Sequence, residues 1–237
     1  MTFRAVVLAG GKGTRLSPFT YVLPKPLLPI DQRPILDIVL TQLARQGCEK
    51  ATLALGHLGH LIEVYCGDGT RWGLDVEYYR ETTPLGTVGV LAQLETLPED
   101  PFIVMNGDVL SDIAFRDLLA SHVTGGAELT IGAFRRTQRD ELGIIETDGD
   151  GRVTQYHEKP VHHYLVSMGI YAVQRSVVQL IPTGHPMDFP DLVQALLASG
   201  REVQTHVHSN YWLDLGRPDD FKQANEQFAS LRTRLGL

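Results

Sequence analysis

Gly10, Gly11 and Gly13 stand directly after the apolar run Phe3 to Leu8, and Lys12, Arg15 and Lys25 fall within fourteen positions beside them. Glycine lets backbone approach a ligand closely, and amide N–H groups bared in such a loop cradle phosphate oxygens. The cations add the local charge that a small phosphorylated ligand needs, whatever the net charge of the chain. The segment is not a dinucleotide fingerprint, because Gly11 and Gly13 lack the third glycine of G-x-G-x-x-G. Nor is it a P-loop, since no G-x-x-x-x-G-K-[ST] occurs. Taken alone, the glycines fit a plain turn after a strand equally well.

Asp108 and Asp214 stand in turns or loops far apart in the chain. Asp108 lies just past the apolar run Phe102 to Met105, in the turn Asn106-Gly107-Asp108, and open α/β sheets bind ligands beyond the carboxyl ends of their strands. Asp214 stands between Trp212 and Gly216. Mg²⁺ takes oxygen ligands and is commonly held by one or two carboxylates together with substrate phosphates, so two aspartates meeting at a phosphate chain suffice. Each aspartate by itself is better explained as a turn or loop residue. Lys159 is followed by Pro160, which predicts extended backbone at Lys159 and a consistent aim for its side chain.

Other candidates carry less. Asp148-Gly149-Asp150 matches the D-x-D pattern of metal-dependent glycosyltransferases, but Asp-Gly pairs suit a hairpin turn. His206 and His208 share one face of a predicted strand, and His162 and His163 are adjacent in a predicted loop; neither pair brings a third metal ligand. Cys48 and Cys66 have no Cys-x-x-Cys spacing and read as buried thiols.

The elements that must position these residues follow from hydrophobic period. Strands are expected at 3–8, 51–55, 74–79 and 102–105. Helices are expected from Pro34 to Gly47, at 58–65, through 88–94 and at 115–122. Alternation of this kind favours a mostly parallel sheet with helices on both faces. Beyond Glu128 the chain turns strand-rich, at 129–134, 143–147, 153–157 and 165–173, with a hairpin at 148–151. A helix at 191–198, a strand at 203–208 and a helix from Pro218 to about Leu231 complete it. At 237 residues, one domain is the expectation.

The net charge of −7 argues against a general nucleic-acid binder, which needs basic surface to displace counterions. No run approaches the roughly 18 apolar residues of a membrane span, and no signal-peptide pattern precedes the first strand, so a cytoplasmic, membrane-free protein is expected, with homo-oligomerisation open.

The string Leu8 to Pro29, L-A-G-G-K-G-T-R-L-S-P-F-T-Y-V-L-P-K-P-L-L-P, resembles the signature of the sugar-1-phosphate nucleotidylyltransferases. Four further segments agree in order: P-L-G-T at Pro84 to Thr87, G-D at Gly107 to Asp108, E-K-P at Glu158 to Pro160, and W-L-D-L-G-R-P at Trp212 to Pro218. The resemblance implies a Rossmann-like three-layer α/β/α fold with a mostly parallel central mixed sheet and a strand-rich sugar-binding region. Residues up to about 125 would hold the nucleotide, and about 126–237 the sugar phosphate. It also implies an NTP and a sugar 1-phosphate as partners. Arg15, Lys25 and Asp108 would be catalytic, and Asp108 and Asp214 would hold Mg²⁺. Leu8, Ala9, Gly10, Gly11, Gly13, Thr14, Glu81, Pro84, Gly86, Thr87 and Gly107 would contact the nucleotide. Gly143, Glu158, Lys159 and Gly169 would contact the sugar phosphate.

Glu81 stands where many uridylyl- and thymidylyl-transferases of that family carry a glutamine. A carboxylate only accepts hydrogen bonds. Guanine presents two adjacent donors where uracil and thymine alternate donor and acceptor, so Glu81 favours GTP. The E-x-x-P-L-G-T spacing resembles the mannose- and manno-heptose-1-phosphate guanylyltransferases. The C-terminal β-helical domain often carried by the mannose enzymes is not expected in these residues. A uridylyl-, thymidylyl- or adenylyl-transferase on another sugar phosphate remains the alternative, as does a silent nucleotide-sugar-binding regulatory subunit.

Overall fold

The computed structural model describes residues 2–98 and 101–237. The first strand, β1 (Phe3–Ala9), ends at the glycine loop. Two short strands, β2 (Pro29–Ile30) and β3 (Arg33–Pro34), lead into α1 (Ile35–Arg45). Then follow β4 (Cys48–Leu55), α2 (Gly59–Cys66), β5 (Asp75–Arg80), the single turn α3 (Gly86–Gly89), β6 (Phe102–Asn106), β7 (Val109–Ser111) and α4 (Phe115–Gly125). The remainder comprises β8 (Leu129–Arg139), β9 (Ile144–Thr147), β10 (Val153–His157), β11 (Val161–Val173), α5 (Phe189–Ala198), β12 (Val203–His208), β13 (Trp212–Asp214) and α6 (Pro218–Arg234).

Seven strands form one sheet in the order β12-β8-β11-β6-β1-β4-β5. All neighbours run parallel except β11, which is antiparallel to both β6 and β8. The sheet is therefore mixed and mostly parallel, as expected, and strands from both halves of the chain share it.

Alternation along β1 explains why helices cover both faces. Phe3, Ala5, Val7 and Ala9 enter one core with residues of α1, α4 and α6, among them Leu36, Leu118 and Phe228. Val6 enters the other with Val104, Leu91 and Leu192. Burial on both faces makes β1 a continuous apolar run rather than an alternating one, and it fixes the C-terminal edge where the glycine loop begins. Both cysteines are free and buried.

Two expected elements differ. The helix through 88–94 is one α turn followed by a 3₁₀ turn at Val90–Gln93. The N–H groups of Val88 and Gly89 donate to the carbonyl of Met187, at 3.0 and 3.2 Å, so the segment is tied sideways to its neighbour instead of propagating. His162 and His163 lie on β11 rather than in a loop. The β8–β11 pairing continues outward from Leu129↔Val173 to Arg139↔Val161 as a ribbon, past Met168, where burial on β11 ends. Solvent on both faces removes the apolar signal that would have revealed it.

The hairpin at 148–151 forms as read: β9 and β10 pair antiparallel, and Asp148 Oδ1 accepts from the N–H groups of Asp150 and Arg152 at 3.0 and 2.9 Å. Asp148 thus closes a turn. His208 pairs with Asp112 at 2.7 Å, and no group of three or more His, Cys, Asp or Glu side chains suited to a metal occurs among the described residues.

Candidate functional site

The C-terminal ends of β1 and β6 open onto two cavities of about 300 Å³ each, which share Leu8, Gly11, Asn106 and Asp108. The first is walled by the glycine loop, with Ala9, Gly13, Thr14 and Arg15, and by Lys25, Asp214 and Gly216. The second contains Gly10, Glu81, Pro84, Gly86 and Thr87. They form one bent groove, polar and cationic at one end and partly apolar at the other.

Main-chain pairing brings the two aspartates together. The N–H of Gly107 donates to Leu8 O at 2.9 Å, pinning the turn after β6 to the end of β1. Next, β7 pairs antiparallel with β13, Val109 opposite Asp214 and Ser111 opposite Trp212, and Leu215 N donates to Asp108 O at 3.2 Å. Residues 108 and 214 are thereby adjacent although 106 positions separate them in sequence. Asp112 secures the same strand pair from behind, accepting from His208 Nε2 at 2.7 Å and from Tyr211 N at 2.9 Å.

Lys25 starts a short 3₁₀ turn between Pro24 and Pro26. Its ammonium is largely buried and ion-paired with Asp108 Oδ2. Asp214 keeps solvent access, yet desolvation by the cleft walls raises its pKa, the Asp108 charge raises it further, and Lys25 and Arg15 partly offset both. Two oxygen-only side chains lining one cavity are a donor set that suits a divalent cation.

In the second cavity, Glu81 continues from β5, its N–H bonded to Leu55 O at 2.8 Å. Burial raises its carboxyl pKa, and the N–H of Leu85 opposes that rise. Gly10 permits the approach: a Cβ there would lie 2.5 Å from Glu81 Oε2.

The Pro84–Thr87 loop is held by α5. Thr87 N and Oγ1 donate to Asp188 Oδ1 at 2.7 and 3.1 Å, and Phe189 N donates to Thr87 Oγ1 at 2.9 Å. Asp188 also caps α5 in a capping box with Asp191. Gly86 sits at φ +74°, where a Cβ would lie 2.5 Å from Met187 O, so this loop cannot seat another residue without moving. Asp188→Ala is expected to cost about 1–2 kcal/mol of stability through the lost cap and clamp, measured by urea unfolding. A loss under about 0.3 kcal/mol would contradict the clamp.

Of the residues singled out in the sequence, the groove collects Leu8, Ala9, Gly10, Gly11, Gly13, Thr14, Arg15, Lys25, Glu81, Pro84, Gly86, Thr87, Asp108 and Asp214. Lys12 is exposed and does not line either cavity. Gly169 lies against Asn106, in contact with the groove's centre. Gly143 and Glu158 come together through Tyr156, whose hydroxyl donates to Glu158 Oε2 at 3.0 Å, but with Lys159 they stand on the exposed hairpin, outside the cavity walls.

Lys159 is not extended. Its φ is +46°, because the chain must reverse between β10 and β11 within residues 158–160. The steric rule for residues before proline disfavours the right-handed helical region, and the turn resolves the conflict on the left-handed side. Asn106, which lines both cavities, was passed over as a turn residue; its position at the last residue of a buried strand, beside Gly107-Asp108, was the available signal.

Comparison with known proteins agrees with this geometry. The chain is 37% identical over 224 residues to a mannose-1-phosphate guanylyltransferase of Mycobacterium tuberculosis, covering 92% of this chain and 62% of that protein. It is 32% identical over 242 residues to a UTP–glucose-1-phosphate uridylyltransferase of Synechocystis sp., covering 93% and 62%. The chain thus spans less than two thirds of the length of these relatives. The solved structure of HddC from Yersinia pseudotuberculosis superposes with a TM-score of 0.73 at 25% identity, covering 96% of this chain and all of that one. A family model for nucleotidyl transferases matches residues 4–230, which takes in the glycine loop, both aspartates and every strand of the sheet but the first residue of β1; the chain belongs to the nucleotidyl transferase family.

Proposed function

We propose that this chain transfers a nucleotidyl group from an NTP, GTP preferred, to a sugar 1-phosphate, releasing pyrophosphate. The observation that carries this reading is the meeting of Asp108, Asp214, Lys25 and Arg15 along one cavity that opens directly onto Glu81 and the Pro84–Thr87 loop. A triphosphate in the first cavity would put its nucleoside in the second.

An oxygen of the sugar phosphate attacks the α-phosphorus, a P–O bond forms, and the bond to the bridging oxygen of the β-phosphate breaks, that oxygen leaving with the pyrophosphate. The nucleophile is already ionised at neutral pH, so no general base is needed, and catalysis rests on positioning and charge neutralisation. Mg²⁺, held by Asp108 and Asp214, would supply Lewis-acid stabilisation of phosphate oxygens. Amides of the glycine loop hold the triphosphate, and the Lys25 ammonium neutralises charge growing on the transferred group. Arg15 steadies the departing pyrophosphate. Gly143, Glu158, Lys159 and Gly169 are assigned to the sugar phosphate; Gly169 already borders the groove, and the other three require the hairpin to fold toward it when the substrate binds.

For the base, one relative carries a guanylyl and the other a uridylyl name, so the preference for GTP rests on Glu81. Pyrophosphate release should be measured with GTP, UTP, dTTP, ATP and CTP against mannose, manno-heptose and glucose 1-phosphates with Mg²⁺. The expected result is GTP- and Mg²⁺-dependent release. Release with UTP alone would overturn the base assignment, and none with any pair would favour a binding subunit without turnover.

A further inference from the structure

A third cavity, of about 530 Å³, adjoins the catalytic groove and shares Arg15, Asp214 and Gly216 with it. One wall is the β8–β11 ribbon, which contributes Arg136 and Tyr164; the other is the start of α6, which contributes Arg217 and Asp220. Trp212 and Phe134 form an aromatic floor, their ring centroids 5.6 Å apart, and Trp212 Nε1 donates to Met168 O at 2.9 Å, beside Gly169.

Three guanidiniums, Arg15, Arg136 and Arg217, line this cavity against two carboxylates, Asp214 and Asp220. Both Arg136 and Arg217 are exposed, and neither has an ion-pair partner among the described residues. Asp214 is assigned to the catalytic cation, which leaves Asp220 as the remaining carboxylate lining the space. Guanidiniums are forks with donors in a plane, fitted to phosphate or carboxylate oxygens. Two of them, brought from separate elements into one cavity, can turn their donors toward a single anion. Because the cavity opens onto the catalytic groove at Asp214, its ligand is continuous with the reacting sugar phosphate.

Resting on the function proposed above, we infer that the preferred acceptor is a sugar 1-phosphate bearing a second anionic group, a further phosphate or a carboxylate, bound by Arg136 and Arg217 with the ring against Trp212.

The test compares hexose 1-phosphate, hexose 1,6-bisphosphate and hexuronic acid 1-phosphate, together with inorganic phosphate, on the parent and on R136Q/R217Q, by calorimetric binding and by pyrophosphate release. The parent is expected to bind and use the doubly anionic acceptors at least tenfold better than the hexose 1-phosphate, the gain typical of added charge-assisted hydrogen bonds at a solvated site. R136Q/R217Q should lose that preference while its turnover of hexose 1-phosphate stays within about threefold; R136K/R217K, which keeps the charge, should retain part of the preference.

Equal binding of all three acceptors by the parent, or a preference that survives in R136Q/R217Q, would overturn the inference. So would inorganic phosphate binding as tightly as the bisphosphate, since the site would then serve a free anion. If no pair of substrates releases pyrophosphate, the function proposed above fails, whereas the calorimetric comparison still decides this one.

Discussion

Lys25→Ala is expected to lower the rate of pyrophosphate release about 10²–10³-fold at saturating substrates, with the protein still folded. The side chain is 11% exposed, lies between two prolines that fix its backbone, and pairs with Asp108 at the point where both cavities meet. A cation so placed interacts more strongly with the charge spread over a pentacoordinate phosphorus than with a bound triphosphate that water still reaches in part. Its loss therefore falls on kcat more than on KM. A change confined to KM would make Lys25 a binding residue only.

The same substitution separates Lys25 from the proposed Mg²⁺. Without substrate, the ammonium is the only cation in contact with Asp108 among the described ion pairs. Lys25→Ala leaves Asp108 beside Asp214 without that partner, and their repulsion, already raising the Asp214 pKa, grows. The apo variant is expected to lose about 1–2 kcal/mol, less than a fully buried pair would because Asp108 is partly solvated. Mg²⁺ should then raise its thermal midpoint more than that of the parent, since the ion no longer competes with the ammonium for Asp108. An equal or smaller rise would show that metal and lysine do not share this carboxylate.

The groove was legible from sequence where it is built by local chemistry. The glycines follow a strand that must be buried on both faces, so the loop had to lie at the sheet's C-terminal edge, and Gly107-Asp108 ends a second such strand next to it. The partnership of Asp108 with Asp214 was not local: it depends on β7 pairing with β13, two three-residue strands without periodicity of their own. Asn106 was hidden for the opposite reason, since it continues a buried strand by one polar residue and gives no pattern. The β8–β11 ribbon was cut short because both its faces meet solvent, and its misreading concealed Arg136 and Tyr164 as cavity residues.

Glu81→Gln tests the base assignment with an almost isosteric side chain. The carboxylate offers only acceptors to the adjacent N–H donors of guanine. The amide replaces one acceptor by a donor, which would face a guanine donor but suits the alternating edge of uracil or thymine. A buried mismatch of this kind leaves polar groups unpaired, and kcat/KM for GTP is expected to fall about 10²-fold while that for UTP or dTTP rises, measured in direct competition. An unchanged ratio of GTP to UTP would remove Glu81 from base recognition.

Stability supplies an independent reading of the same residue. Burial holds the Glu81 carboxyl above the usual carboxylate range, so ionising it costs the folded state more than the unfolded chain. The favourable contribution of the neutral form is present below the unfolded carboxylate pKa and is lost as pH rises through the higher folded value. Glutamine never ionises, so E81Q should gain in stability relative to the parent as the pH is raised from below about 4 to neutrality. A relative stability flat across that interval would mean that Glu81 is solvated in the apo groove. It would then be free of the desolvation that makes a lone acceptor discriminate between bases.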